Sequence, residues 1–336
     1  MKFLDLFAGI GGFRLGMEAA GHECVGFCEI DKFARESYKA IHDTKGEIEL
    51  HDITAVSDDT VRGIGRVDVI CGGFPCQAFS VAGKRQGFED TRGTLFFEIA
   101  RFASILRPRL LFLENVKGLL NHDGGNTFET IIATLDELGY DAEWQVLNSK
   151  NFGVPQNRER VFIIGHLRGK CTRGVFPFGR ESQSINTKSV VKFGNVNPSG
   201  HGMNGEVFQS DGLAPTLTTN KGEGQKIATD GISPTIRAYQ GGGLEPKIIQ
   251  RGHGYNKGGE HENAPTLTSN SYHENNYLSN SFRIRKLTPR ECWRLQGFPD
   301  WAFDKAQEVN SNSQLYKQAG NSVTVNVIAA IAKELK

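Results

Sequence analysis

Short apolar runs alternate with amphipathic stretches through the first half of the chain, and this alternation sets its architecture. Lys2-Phe3-Leu4-Asp5-Leu6-Phe7-Ala8 reads as a strand, and Gly9-Ile10-Gly11-Gly12 as a tight turn into a helix from about Phe13 to Ala20. Cys24-Val25-Gly26-Phe27-Cys28 is the next strand, followed by a helix near residues 31–41. Val67-Asp68-Val69-Ile70-Cys71 reads as a buried strand bounded by glycines. An amphipathic helix from Thr94 to Leu106 stops at Pro108. Leu110-Leu111-Phe112-Leu113, a helix over 126–138, a strand over 142–149 and Val161-Phe162-Ile163-Ile164-Gly165 complete the series. Strands alternating with helices in this way predict an α/β fold on a doubly wound, mostly parallel sheet.

The character changes after about Lys170. Residues 194–280 are rich in Gly, Asn, Ser and Thr and carry a weak, unevenly spaced repeat: Ala214-Pro215-Thr216-Leu217, Ser233-Pro234-Thr235-Ile236 and Ala264-Pro265-Thr266-Leu267. Short strands and glycine loops in a small irregular β-rich lobe fit this better than a solenoid. Past Asn280 the pattern is globular again. Thr288 reads as an N-cap with Pro289 at N1, and Ala319-Gly320-Asn321-Ser322-Val323 as the opening of a last apolar helix to about Leu335. The expected organisation is a catalytic domain over 1–170, a second domain over 171–282 and a return to the first over 283–336.

Composition narrows the class. No apolar run approaches the roughly 20 residues of a membrane span, and Asp5 with the nearby glycines spoils a signal-peptide core. The six cysteines form no C-x-x-C pairs or dense disulfide framework, so reduced thiols in a cytoplasmic protein without a structural metal are expected. A net charge of +1 neither supports nor excludes nucleic acid, because a local basic groove is compatible with a neutral total.

The candidate chemistry sits at strand ends, where open α/β sheets place their ligands. The glycine turn makes a nucleotide-type pocket, with F-x-G-x-G-G spacing instead of the dinucleotide pattern. Glu29 ends the second strand and would accept ribose hydroxyls or cap the following helix; Asp52 would hold an adenine amino group or cap a turn. Cys76, in Gly73-Phe74-Pro75-Cys76-Gln77, is either a packed small hydrophobe or a reactive thiol. The polar stretch from Gly83 to Gly93 reads as a long loop whose Lys84, Arg85 and Arg92 suit phosphate contacts. Glu114 would share the pocket edge with Cys76, and in an extended Gln156-Asn157-Arg158-Glu159-Arg160 the two arginines would project together.

These residues resemble the C5-cytosine DNA methyltransferases along almost the whole chain. Asp5-Leu6-Phe7-Ala8-Gly9-Ile10-Gly11-Gly12 is similar to the family's first cofactor motif, and Gly73-Phe74-Pro75-Cys76-Gln77 to its nucleophile motif. Glu114-Asn115-Val116, Gln156-Asn157-Arg158-Glu159-Arg160, Arg285-Lys286-Leu287-Thr288-Pro289-Arg290-Glu291 and Gly320-Asn321-Ser322-Val323 follow in the family's order. The resemblance implies S-adenosylmethionine as methyl donor and a cytosine flipped out of duplex DNA. It implies that Cys76 adds to cytosine C6, Glu114 binds the base edge, and Arg160 with Arg158 orients the carbonyl. It assigns cofactor contacts to Phe7, Ala8, Gly9, Gly11, Gly12, Glu29, Ile30, Asp52, Ile53, Pro75, Asn321 and Val323. Ile30 stands where the family often has an aromatic ring for adenine, and Ala82 where a lid serine is often found.

The resemblance makes the lobe after Lys170 the target-recognition region of an enzyme acting as a monomer on double-stranded DNA. DNA contacts are expected at Ser80, Lys84, Arg85, Gln86 and Arg92, and at Thr235 with Arg237, although Thr216 and Thr266 stand in similar pairs. Rival readings are the same chemistry on RNA and a DNA-binding regulator without turnover. A partner restriction endonuclease and the target sequence are not legible in the chain.

Overall fold

The computed structural model describes residues 1–75, 95–170, 172–178 and 283–335, together with the strand segments 192–195, 206–209, 214–215, 226–229, 247–250, 259–261 and 276–279. The chain divides into two compact units: Met1–Thr187, Pro215–Gly222 and Pro289–Lys336 in one, and Lys188–Ala214 and Glu223–Thr288 in the other.

The larger unit begins with β1 (Lys2–Leu6), α1 (Gly12–Ala19), β2 (Glu23–Cys28), α2 (Lys32–Ile41), β3 (Ile48–Leu50), α3 (Asp58–Gly63) and β4 (Val69–Gly73). It continues with α4 (Leu95–Leu106), β5 (Leu110–Val116), α5 (Asn126–Glu137), β6 (Tyr140–Asn148), the two-residue β7 (Gln156–Asn157) and β8 (Glu159–Leu167). Seven of these strands form one sheet in the order β3-β2-β1-β4-β5-β8-β6. The pairings from β3 to β5 are parallel, and β8 runs antiparallel to both its neighbours. The mostly parallel, doubly wound sheet read from the sequence is therefore present.

Both faces of the sheet are buried, which explains why its strands read as nearly unbroken apolar runs. Leu4, Ile70, Leu111, Leu113 and Ile163 pack with Phe96, Phe102 and Ile131 of α4 and α5 on one face. Their alternates Phe3, Val69, Leu110, Phe112 and Phe162 pack with Phe13, Met17, Val327, Ile328 and Ile331 on the other. Connections leave β1 toward β2 and β4 toward β5 in opposite directions, so a crevice opens at the carboxyl ends of β1 and β4.

In the smaller unit β9 (Lys192–Asn195), β10 (Glu206–Gln209), β12 (Lys226–Thr229) and β16 (Arg283–Lys286) form one sheet in the order β16-β12-β10-β9. A separate sheet consists of β13 (Lys247–Gln250) flanked by β14 (Gly259–His261) and β15 (Asn276–Ser279), and the two-residue β11 (Ala214–Pro215) falls on the boundary between the units.

The larger unit resumes with α6 (Pro289–Leu295), α7 (Asp300–Val309), α8 (Asn312–Asn321) and α9 (Val325–Ala332). Here one expectation is corrected. Ala319-Gly320-Asn321 close α8 instead of opening the last helix, because Ser322 is extended (φ −74°, ψ 157°) and breaks the run before α9. α9 crosses α1 at very close range: a Cβ on Gly16 would lie 2.6 Å from Ile328 Cβ.

Candidate active site

The turn after β1 is built from left-handed backbone. Phe7, Gly9 and Gly11 have φ of 55°, 56° and 83°, the first an uncommon conformation for a residue with a side chain. A Cβ on Gly11 would sit 2.1 Å from the buried His42 ring, so the turn lies directly on α2's last residues. The turn's amides are aimed by partners: Ala8 N donates to Cys28 O at 3.0 Å, and Gly9 N donates to Glu29 Oε2 at 2.8 Å.

Glu29 receives a second backbone bond, from Asp31 N to Oε1 at 2.7 Å. Burial raises its pKa, and these two amides oppose the rise. Asp31, not Glu29, caps α2, accepting from Phe33 N and Ala34 N. The alternative role for Glu29 is thereby taken by its neighbour, and the Glu29 carboxylate keeps lone pairs for a ligand. Asp52 caps the turn at Ile53–Ala55 through Thr54 N and Thr54 Oγ1, and it also borders the cavity.

A second set of groups stands at the ends of β5 and β8. Gly73 pairs with Glu114 across β4 and β5, and Val116 pairs with Arg160 across β5 and β8. Because β8 is antiparallel, its first residues meet the last residues of β5. Arg160 Nε lies 3.0 Å from Glu114 Oε1, with side chains only 15% and 10% exposed. Burial raises the Glu114 pKa, while Arg160 and then Arg158 pull it back down. A Cβ on Gly73 would come within 3.1 Å of Glu114 Oε2, so a glycine there leaves room for the carboxylate. Asn115 Nδ2 donates to Phe74 O at 2.8 Å, tying the segment that leads to Pro75. Arg158 turns elsewhere: it is buried and donates to Ser322 O at 2.8 Å and Gly320 O at 3.4 Å, a cation at the C-terminus of α8. Burial and then the Arg160 guanidinium push its pKa down, and Glu114 opposes this.

The two sets of groups line one cavity of about 600 Å³. Of the expected site residues, Phe7, Gly9, Glu29, Ile30, Asp52, Ile53, Pro75, Glu114, Arg158, Arg160 and Asn321 border it. Ala8, Gly11, Gly12 and Val323 stand behind its wall; a Cβ on Gly12 would meet Ser322 Oγ and Val323 Cγ2 at 2.8 Å. Cys76, Ser80, Lys84, Arg85, Gln86, Arg92, Thr235 and Arg237 lie outside the described residues. Sequence reasoning missed Ile10, Gln314, Lys317 and Gln318 as lining residues. The last three come from α8, where the polar pattern gave no sign of a pocket. Lys317 pairs with Asp31 and thereby ties α8 to the N-terminus of α2.

The family model of the C-5 cytosine-specific DNA methylases matches residues 1–336. The chain is similar to the orphan methyltransferase M.SPRI of Bacillus phage SPR, at 36% identity over 100% of this chain and 97% of that protein. It is also similar to the type II methyltransferase M.HhaI of Haemophilus parahaemolyticus, at 39% identity over 99% and 93% of the two chains. Among solved structures it resembles the Entamoeba histolytica methyltransferase EhMeth, with a TM-score of 0.62, 17% identity and coverage of 99% and 97%. The putative DNA modification methyltransferase of an Escherichia coli prophage gives 0.60, 18%, 99% and 98%. These two structural likenesses speak for the fold alone. The match over the full length and the identity to named enzymes decide the matter: the chain belongs to the C-5 cytosine-specific DNA methylases and is a DNA cytosine-5 methyltransferase.

Proposed function

We propose that Cys76 is the nucleophile of this reaction and that the cavity holds S-adenosylmethionine beside a flipped cytosine. The observation that carries the reading is the buried Glu114–Arg160 pair sharing one cavity with Glu29 and the glycine turn. The residues fit the cofactor: Glu29 offers a carboxylate with free lone pairs, Gly9 leaves open space where a side chain would stand, and Ile30 is an apolar residue that is 68% exposed. When bound, S-adenosylmethionine supplies an electrophilic methyl group. The protein's own groups prepare the base to receive it. Cytosine C5 is a weak nucleophile, so the Cys76 thiolate adds to C6 and moves a ring electron pair toward N3. Glu114 holds the base edge, delivering a proton to N3 as charge builds there and accepting from the amino group. Its Oε1 is held by Arg160, whose guanidinium also orients the base carbonyl. After C5 is methylated and its proton lost to a base, expulsion of the thiolate and return of the N3 proton to Glu114 restore the ring.

Extrusion of the base costs a few kcal/mol, offset by DNA contacts from Ser80, Lys84, Arg85, Gln86 and Arg92 and from Thr235 and Arg237. The enzyme acts as a monomer on duplex DNA, with residues 171–282 reading the sequence. Duplex DNA carrying 5-fluorocytosine will form a denaturant-stable complex with the wild-type protein and labelled donor, and Cys76→Ala will abolish it. An undiminished yield of complex with that variant would sink the mechanism.

A further inference from the structure

The wall that presents Glu29 and Ile30 to the cavity is made of backbone that has run off the end of its strand pairing. Glu29 N still donates to Leu50 O, but β3 ends at Leu50, so the ladder does not continue past it. The carbonyls of Glu29 and Ile30 are taken by a side chain instead. Arg35, one turn into α2, donates from Nη1 to Glu29 O at 2.8 Å and to Ile30 O at 2.7 Å. Its side chain is 15% exposed, and its Nε faces Glu49 Oε1 of β3 at 3.8 Å. Glu49 is itself held by Lys39 Nζ at 3.1 Å and His51 Nε2 at 3.2 Å. One guanidinium thus joins the segment carrying Glu29 and Ile30 to the neighbouring strand, which leads into His51 and Asp52, two further residues bordering the cavity. Charge-assisted bonds from a rigid planar group fix a peptide more tightly than water would. Ile30 projects into the open, so its position depends on the backbone beneath it.

We infer that Arg35 is a positioning residue for cofactor binding, setting the place of Glu29 and Ile30 without touching the ligand. The inference rests on the reading that this cavity takes S-adenosylmethionine. A group that only shapes the binding wall acts equally on ground state and transition state, so its loss raises KM and leaves kcat alone.

The test uses the full chain, with S-adenosylhomocysteine binding measured calorimetrically without DNA, and KM and kcat measured on duplex DNA. Arg35→Ala is expected to weaken S-adenosylhomocysteine binding about ten-fold, and to raise the KM for S-adenosylmethionine similarly, with kcat within about two-fold. Arg35→Lys, whose single ammonium reaches the carbonyls but does not also face Glu49, should recover part of the loss; it also serves as the readout if the alanine variant does not fold. Binding by Arg35→Ala within two-fold of wild type, or a fall in kcat at unchanged KM, overturns the inference alone. Wild-type protein that fails to bind S-adenosylhomocysteine overturns the cofactor reading and this inference with it.

Discussion

Arg160→Ala asks what keeps a carboxylate in a dry pocket. The substitution removes the 3.0 Å partner of Glu114, whose side chain is only 10% exposed. An unpaired carboxylate in that setting takes up a proton instead of staying charged. The ordinary carboxyl value of the unfolded chain is about 4.5. Holding the proton at pH 7 then costs at most about 3.4 kcal/mol, at about 1.36 kcal/mol per pH unit. At pH 5 the same ceiling is only about 0.7 kcal/mol. The remaining attraction of Arg158 keeps the loss below these limits. The sign follows from proton binding. A raised folded-state pKa means that the native chain holds more protons than the unfolded one, so stability declines as pH rises. Burial already raises Glu114 in the wild type, so the variant's deficit opens above that raised value and widens with pH. Urea unfolding followed by tryptophan fluorescence from pH 5 to pH 8 reads the difference. The double variant Glu114→Gln/Arg160→Ala should lose the part of the pH dependence that Glu114 contributes, leaving that of other groups such as His42. A deficit for Arg160→Ala that is constant across that range refutes the argument.

Three further expectations concern the stability of the larger unit. Gly16→Ala should destabilise the fold by up to about 2 kcal/mol, since strain of about 1–3 is set against a helix gain of about 1; its Cβ would lie 2.6 Å from Ile328 Cβ and 2.9 Å from Ala329 N. Gly63→Ala, which meets nothing within 4 Å, should stabilise by about 0.4–1 kcal/mol in the same denaturation assay. His42, buried under the glycine turn, has its pKa lowered to about 3, first by burial and then by Arg14. The unfolded chain therefore binds a proton below about pH 6.5 that the native chain refuses, and stability drops as pH is lowered, by up to about 1.4 kcal/mol per unit. His42→Gln should flatten that part of the curve; an unchanged slope between pH 6.5 and 5 would show that another group sets it.

The sequence by itself determined the alternation of strands and helices, because strands buried on both faces must be apolar throughout and their connections must be amphipathic. It also set which groups stand at strand ends: Phe7, Gly9, Glu29, Pro75 and Glu114 lie at or just past the ends of their apolar runs, and all border the cavity. Strand direction was not legible, since an apolar run reads the same either way. Only the fold turned β8 antiparallel, so that Arg160 meets Glu114 while Arg158 caps α8. The contribution of α8 was equally hidden, because Lys317 reaches Asp31 across 286 residues of chain and no local pattern encodes that contact. Nothing in the local sequence sets Arg35 apart from the other charges of its helix. Its use depends on where the pairing of β2 with β3 ends, and that boundary is fixed by tertiary packing rather than by any spacing of residues.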